Sequence, residues 1–218
     1  DDLLGEITEA QRFTGDDLCA WHQRWLGGIY DWAGHYRNVN MSKDGFPFAA
    51  ARLVPDLMAD YTRRVLAAHT PCAGMDDARL VQALAQTHAE FILIHPFREG
   101  NGRLARLLNT MMALQAGLPL LDFDGIRGAA KRRYIAAIHA AQGNDYRPLE
   151  EVFAAVLRRT WRTATSSSGG GGSLSTTDRE AAFALVTKRP SAALRNVAAE
   201  TPSMAEELRT FRSTAAFR

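Results

Sequence analysis

An all-α fold with one short β-hairpin and a small helical appendage is predicted for this chain of 218 residues by three observations. Apolar residues recur at helical spacing through most of the first 164 positions. Helix-opening and helix-closing residues bracket those runs. The Asp-Gly pair Asp44-Gly45 has β-compatible residues on both sides, which marks a two-residue hairpin turn.

Each element has its own signal. Thr14-Gly15-Asp16-Asp17 has capping-box spacing, in which a hydroxyl and an acidic side chain three residues apart satisfy each other's backbone N–H. It opens a helix carrying Leu18 to Leu26, which Gly27-Gly28 ends. The hairpin centres on Lys43-Asp44-Gly45, and core packing is expected for one of the two rings that follow, Phe46 and Phe48. Pro55 suits a first helical turn, and Leu57, Met58, Tyr61, Val65 and Leu66 form one stripe as far as about His69. Asp76-Asp77 opens the next helix, whose Leu80, Val81, Leu84, His88, Phe91 and Ile92 lead to His95-Pro96. Proline cannot continue a helix interior, so the chain turns there. Leu104, Leu107, Leu108, Met111 and Met112 resume helical spacing up to Gly117, and a connection runs from Leu118 to Phe123. Further helices cover about Ala129 to Ala141 and Pro148 to about Arg162, giving a mostly α domain over residues 1–164.

The chemistry concentrates between His95 and Arg106. These twelve residues, His-Pro-Phe-Arg-Glu-Gly-Asn-Gly-Arg-Leu-Ala-Arg, hold a base, an acid, two close glycines, an amide and two helix-borne arginines. A glycine-bearing loop that leads into a helix suits a phosphate. The first N–H groups of the helix lack internal partners, and its dipole places partial positive charge there. Gly100 and Gly102 allow close backbone approach, and Arg103 and Arg106 supply guanidinium forks for phosphate oxygens. Glu99 is the loop's one carboxylate and suits Mg²⁺, which is commonly held by one or two carboxylates together with substrate phosphates. His95 can accept a hydroxyl proton near neutral pH, and Asn101 can donate an N–H where negative charge develops. A solvated interhelical turn would explain any one of these residues, but not their assembly around paired glycines.

This segment resembles the signature of the Fic family, His-x-Phe-x-Asp/Glu-Gly-Asn-Gly-Arg-x-x-Arg, and matches every fixed position. The resemblance implies transfer of AMP from ATP to a protein hydroxyl. His95 would be the general base, Phe97 the apolar anchor of the loop and Glu99 the Mg²⁺ ligand. Gly100, Asn101 and Gly102 would surround the α-phosphate, with Arg103 and Arg106 on the outer phosphates. The related Doc branch, which transfers a γ-phosphate, replaces the Gly-Asn-Gly-Arg portion that is intact here. The run from Trp32 to Arg37, followed by Asn38 to Phe48, resembles the family's flap segment, so Ser42, Lys43, Asp44, Gly45 and Phe46 are expected to meet the target by strand addition. Tyr134, with Ile135, is expected to help wall an adenine pocket, although an aromatic at helical spacing is more often core.

Composition bounds the alternatives. With 26 Lys and Arg against 24 Asp and Glu, the net charge of +2 gives no reason to expect direct nucleic-acid binding. No apolar run approaches the roughly 20 residues that span a bilayer, and no signal peptide is seen, so no membrane partner is expected. Cys19 and Cys72 lie in unrelated segments and suit a reducing compartment, the bacterial cytoplasm or a host cytosol. His22, His35, His69, His88 and His139 show no metal-ligand pairing and read as structural or exposed.

Residues 165–173, ending Ser166-Ser167-Ser168-Gly169-Gly170-Gly171-Gly172-Ser173, resemble an engineered fusion linker. A coil of that run spans about 15 Å, so the segment beyond it is expected to dock near the last domain helix. Residues 174–218 read as two or three helices, too short for a core of their own and suited to a partner surface. Some Fic toxins are held by a small helical antitoxin whose Ser/Thr-x-x-x-Glu-Gly/Asn motif pairs its glutamate with the second loop arginine, here Arg106. Ser191 to Asn196 has that spacing, but Arg195 stands where the glutamate would be. Like charges repel, so the tethered segment is expected to permit activity. If Thr176 to Glu180 or Ser203 to Glu207 is the true motif, the toxin would instead be inhibited. The small Fic toxins suggest DNA gyrase or topoisomerase IV subunits as targets, with a small GTPase as the runner-up.

Overall fold

The structure, a computed structural model, describes residue 8 and residues 10–167, with side chains up to residue 164. Residues 168–173 of the expected linker, the appendage and the Ser191-Arg195-Asn196 motif lie outside the described residues. Helix α1 spans Gly15–Leu26 and begins as the sequence requires. The Thr14 hydroxyl accepts the Asp17 N–H at 3.3 Å, and the Asp17 carboxylate accepts the Thr14 N–H at 2.7 Å. The helix buries Leu18, Trp21, His22 and Leu26.

The hairpin follows as β1 (Ser42–Lys43) and β2 (Phe46–Pro47), antiparallel, with Ser42 opposite Pro47 and Lys43 opposite Phe46. Asp44 and Gly45 both have positive φ, 51° and 78°, as a primed turn demands. Two residues per strand are too few to form an inner face, so neither Phe46 nor Phe48 enters the core as expected. Phe48 instead lies flat on His95, with centroids 3.6 Å apart, and Phe46 lies on His139 at 4.3 Å.

After a 3-10 turn at Ala51–Leu53, helix α2 (Val54–Asp60) carries Pro55 in its first turn, where a missing N–H costs nothing. It continues through a π-helical stretch, Tyr61–Leu66, into the short α3 (Ala67–His69). Helix α4 (Asp77–Ile94) is capped by the Asp76 side chain on the Arg79 N–H at 2.8 Å. Helix α5 (Asn101–Gln115) packs along it, and α6 (Gly128–Ala141) and α7 (Arg147–Ser167) complete the bundle. The last turn of α7 overlaps the expected start of the linker at residue 165.

α4 touches α5, α6, α7 and the π-helical stretch, so the core surrounds it. Leu80, Leu84 and Phe91 from α4 and Leu104, Leu108 and Met112 from α5 are almost wholly buried. Each such side chain contributes about 2 kcal/mol of transfer free energy. One polar chain runs through this core. His88, 1% exposed, bonds Asn109 Oδ1 at 2.6 Å and the Tyr134 hydroxyl at 2.8 Å, and Asn109 Nδ2 donates to Leu84 O and to Thr87 Oγ1. With every member paired, the network fixes the register of α4, α5 and α6 without leaving a buried polar group unmade.

Candidate active site

The loop between α4 and α5 begins where α4 is forced to stop. His95 is the C-cap, in the left-handed region with φ 53° and ψ 59°, and Pro96 has no N–H to extend the ladder. The last four carbonyls of α4 all find donors. Phe91 O accepts the His95 N–H at 2.9 Å, and Ile92 O accepts from His95 Nδ1 at 3.2 Å. Leu93 O accepts the Ala49 N–H at 3.2 Å, and Ile94 O accepts from Arg37 Nη2 at 3.2 Å. Two of these donors, Ala49 and Arg37, belong to the segment around the hairpin, so that segment completes the helix end on which His95 sits.

The bond from Nδ1 fixes the His95 tautomer and leaves the Nε2 lone pair for an incoming proton. The imidazole pKa falls to about 4. Burial is the largest cause, and Arg37 and Lys43 add to it; the Ile92 carbonyl and Glu99 pull the other way. The ring is therefore neutral at pH 7.

The body of the loop is held by rings and by an amide. Phe97 is fully buried and stacks on His22 with centroids 4.0 Å apart and planes 9° from parallel. His22 accepts the Gly34 N–H at 2.8 Å on Nδ1, so its Nε2–H donates to Glu99 O at 3.1 Å. The Asn101 side chain, expected to face an anion, has a different task. Its Oδ1 accepts the Phe97 N–H at 2.9 Å and its Nδ2 donates to Phe97 O at 2.7 Å, so the amide is spent on closing the loop. An anion placed at this point would meet backbone instead. The N–H groups of Asn101 and Gly102, first in α5, have no acceptor among the described residues.

The two glycines differ. Gly100 is the N-cap of α5 with φ 83°, and a Cβ there would stand 2.7 Å from Trp25 Cζ3. Gly102 has open space around it, so its small size matters to whatever approaches from outside. The arginines also separate. Arg103 lies over the Trp25 ring at 4.4 Å and pairs with Glu99 Oε1 at 3.0 Å, whereas exposed Arg106 lies over Phe123 at 5.8 Å. Glu99 Oε1 also accepts the Gly100 N–H at 2.8 Å, and its side chain is 46% exposed. Among the described residues no three His, Cys, Asp or Glu side chains gather as a metal-ligand group.

Ser42, Lys43, Asp44 and Gly45 are exposed at the hairpin tip and Phe46 is half-buried. Tyr134 is half-buried with its hydroxyl turned inward to His88, and Ile135 is 39% exposed. Sequence reasoning missed three residues that shape the site: Arg37, Trp25 and the ring of Phe48. Each acts across long sequence separations, and the only local signal was a lone arginine at the end of the Trp32–Arg37 run.

Residues 12–113 match the family model described as Fic/DOC family. The protein adenylyltransferase VbhT of Bartonella schoenbuchensis is 26% identical over 211 residues, which are 97% of this chain and 42% of that protein. The protein adenylyltransferase Fic of Nematostella vectensis is 29% identical over 157 residues, 71% of this chain and 34% of that protein. The chain thus spans less than half the length of either relative. A solved structure of the Bartonella tribocorum effector BepC with bound AMPPNP superposes with TM-score 0.55 at 22% identity, covering 67% of this chain and 75% of that one, which shows a shared fold. No helix among the described residues is long and apolar enough to cross a membrane. Over residues 12–113 the chain is thus similar to the Fic/DOC family, and the relatives it resembles include protein adenylyltransferases.

Proposed function

We propose that this chain transfers AMP from ATP to the hydroxyl of a Tyr, Thr or Ser on a target protein. The observation that carries the reading is a neutral imidazole, His95, at the mouth of a loop whose helix offers the unpartnered N–H groups of Asn101 and Gly102. The naming of several relatives as protein adenylyltransferases and the AMPPNP bound to BepC support the same reading.

In this mechanism the Asn101 and Gly102 N–H groups and the α5 dipole receive the α-phosphate, where negative charge grows in the transition state. Arg103 and Arg106 receive the outer phosphates, leaving the rings of Trp25 and Phe123 on which they rest. His95 Nε2 takes the hydroxyl proton as the oxygen attacks the α-phosphorus. The bond to the bridging oxygen breaks, and pyrophosphate departs as AMP becomes ester-linked to the target. Ser42, Lys43, Asp44, Gly45 and Phe46 hold the target segment alongside the hairpin. Mg²⁺ fits Glu99 on chemical grounds, since one half-exposed carboxylate suits an ion completed by phosphate oxygens and water. It would neutralise phosphate charge there. Glu99 holding such an ion would compete with its 3.0 Å pair to Arg103, a guanidinium that could then turn to the nucleotide.

The role as toxin of a toxin-antitoxin pair, the release of inhibition by Arg195 opposite Arg106, and gyrase, topoisomerase IV or a small GTPase as targets rest on sequence resemblance alone. The competing reading is a chain silenced by its own tail.

Incubation with ATP labelled at the α- or the γ-phosphate tests the reaction. Protein-bound label from the α-position is expected, and its loss in His95→Ala by about 10²-fold or more with AMPPNP binding retained. Label carried over only from the γ-position would overturn AMP transfer. For the tail, Arg195→Glu is expected to suppress labelling, and unchanged labelling would refute the Ser191-Arg195-Asn196 register.

A further inference from the structure

We propose that Arg37 is the positioning residue of this reaction, one buried guanidinium that sets the base His95 against the target-holding flap by gripping backbone carbonyls of both. The inference rests on the AMP-transfer reading. Arg37 is 2% exposed. Its Nε donates to His95 O at 2.7 Å and its Nη2 to Ile94 O at 3.2 Å, on the catalytic side. On the flap side Nη1 donates to Val39 O at 2.6 Å and Nη2 to Ala49 O. Its own N–H donates to Pro96 O at 2.8 Å.

Val39 and Ala49 are the two feet of the hairpin, and Ile94 and His95 are the end of α4. The planar fork therefore fixes four carbonyls from two chain segments in one frame, which a flexible ammonium cannot do. A buried cation is costly to hold without counter-charge, and among the described residues no carboxylate pairs with Arg37. Carbonyl dipoles at the negative end of α4 take that part. The same grip holds His95 in a left-handed conformation that a non-glycine residue rarely adopts, φ 53°. Because Phe48 stacks on the His95 ring, any slip between the two carbonyl pairs moves the base relative to the flap. The charges that act on His95 are Arg37, Lys43 and Glu99, and only Glu99 favours the imidazolium.

Arg37→Lys and Arg37→Met are compared with the wild-type chain for AMP-transfer kcat, AMPPNP Kd and the His95 imidazole titration followed by NMR. Arg37→Lys is expected to lose about 100-fold in kcat, the cost of an ångström-scale misplacement, with Kd within about twofold. Arg37→Met, which also removes the charge, is expected to raise the His95 pKa. Wild-type kcat in Arg37→Lys, or equal losses in kcat and Kd, overturns the positioning role. If neither variant folds, the wild-type Arg37 Nε–H decides. Exchange slowed by about 100-fold or more against exposed arginines supports the grip, and exchange at their rate overturns it. A wild-type chain that transfers no AMP refutes the activity instead, and the His95 titration still judges Arg37 without turnover.

Discussion

Replacing Gly100 by alanine strains the loop in two ways that can be worked from the structure. Its φ of 83° lies in the left-handed region, where a side chain costs about 1–2 kcal/mol. The added Cβ would meet Trp25 Cζ3 at 2.7 Å, Trp25 Cη2 at 3.3 Å and Leu26 Cδ1 at 3.4 Å. An indole and a buried leucine cannot both withdraw, so overpacking adds about 1–3 kcal/mol. The sum is about 3 kcal/mol, or roughly 6–12 °C in Tm for a domain of this size. The displaced Trp25 also shifts the face on which Arg103 rests at 4.4 Å. The control is Gly102→Ala. It sits in a helical turn with nothing within 4 Å of the new Cβ, so stability is expected to stay within about 0.5 kcal/mol of wild type, or to rise slightly. AMPPNP affinity is nonetheless expected to fall, since the methyl group stands where a phosphate approaches the open N–H groups. Circular dichroism melts and calorimetric AMPPNP titrations of both variants are the assay. A Gly100→Ala melt within about 2 °C of wild type, or a Gly102→Ala melt as low as that of Gly100→Ala, would refute the reasoning.

Other consequences concern the buried polar groups. Folding lowers the pKa of His88 and His95 to about 4 each from 6.5, so the unfolded chain takes up their protons first on acidification. Their contribution to stability is complete above pH 6.5 and is lost between 6.5 and 4, at up to about 1.4 kcal/mol per pH unit for each ring. Urea melts from pH 7.5 to 5 measure this, and stability that holds level or rises on acidification contradicts it. Tyr134→Phe leaves His88 Nε2 without its 2.8 Å partner and is expected to cost about 1–2 kcal/mol. If the melt is unchanged and AMPPNP affinity falls tenfold, the tyrosine is a nucleotide contact and not a core clip. Asn101→Ala removes both bonds to Phe97 and is expected to lower stability by about 2–4 kcal/mol in denaturant titrations; a loss of nucleotide binding with no loss of stability would restore the amide to the anion site.

Much of this site was legible locally. The capping box at Thr14, the cap at Asp76, the Asp44-Gly45 turn and the break at His95-Pro96 are each decided within a few residues by hydrogen-bond geometry and steric limits. Residue type alone also singled out His95, Glu99, Gly100, Gly102, Arg103 and Arg106 as one candidate constellation. What each side chain does within it was not legible. Asn101 reads as an anion donor, yet the fold turns its amide onto Phe97, because the loop's own backbone had to be satisfied first. One of Phe46 and Phe48 reads as core, yet they stack on His139 and His95 instead, because a hairpin of two residues per strand has no interior.

The sequence by itself therefore determined the order of elements, the turn positions and the inventory of chemistry, all set by interactions within a turn or two of chain. Tertiary structure alone decided that Arg37, 58 positions from His95 in the chain, would hold its carbonyl, that Trp25 would require Gly100 to be glycine, and that burial would lower the His95 pKa. Those outcomes depend on burial and on contacts between distant segments. Neither has a period or a spacing from which it can be read.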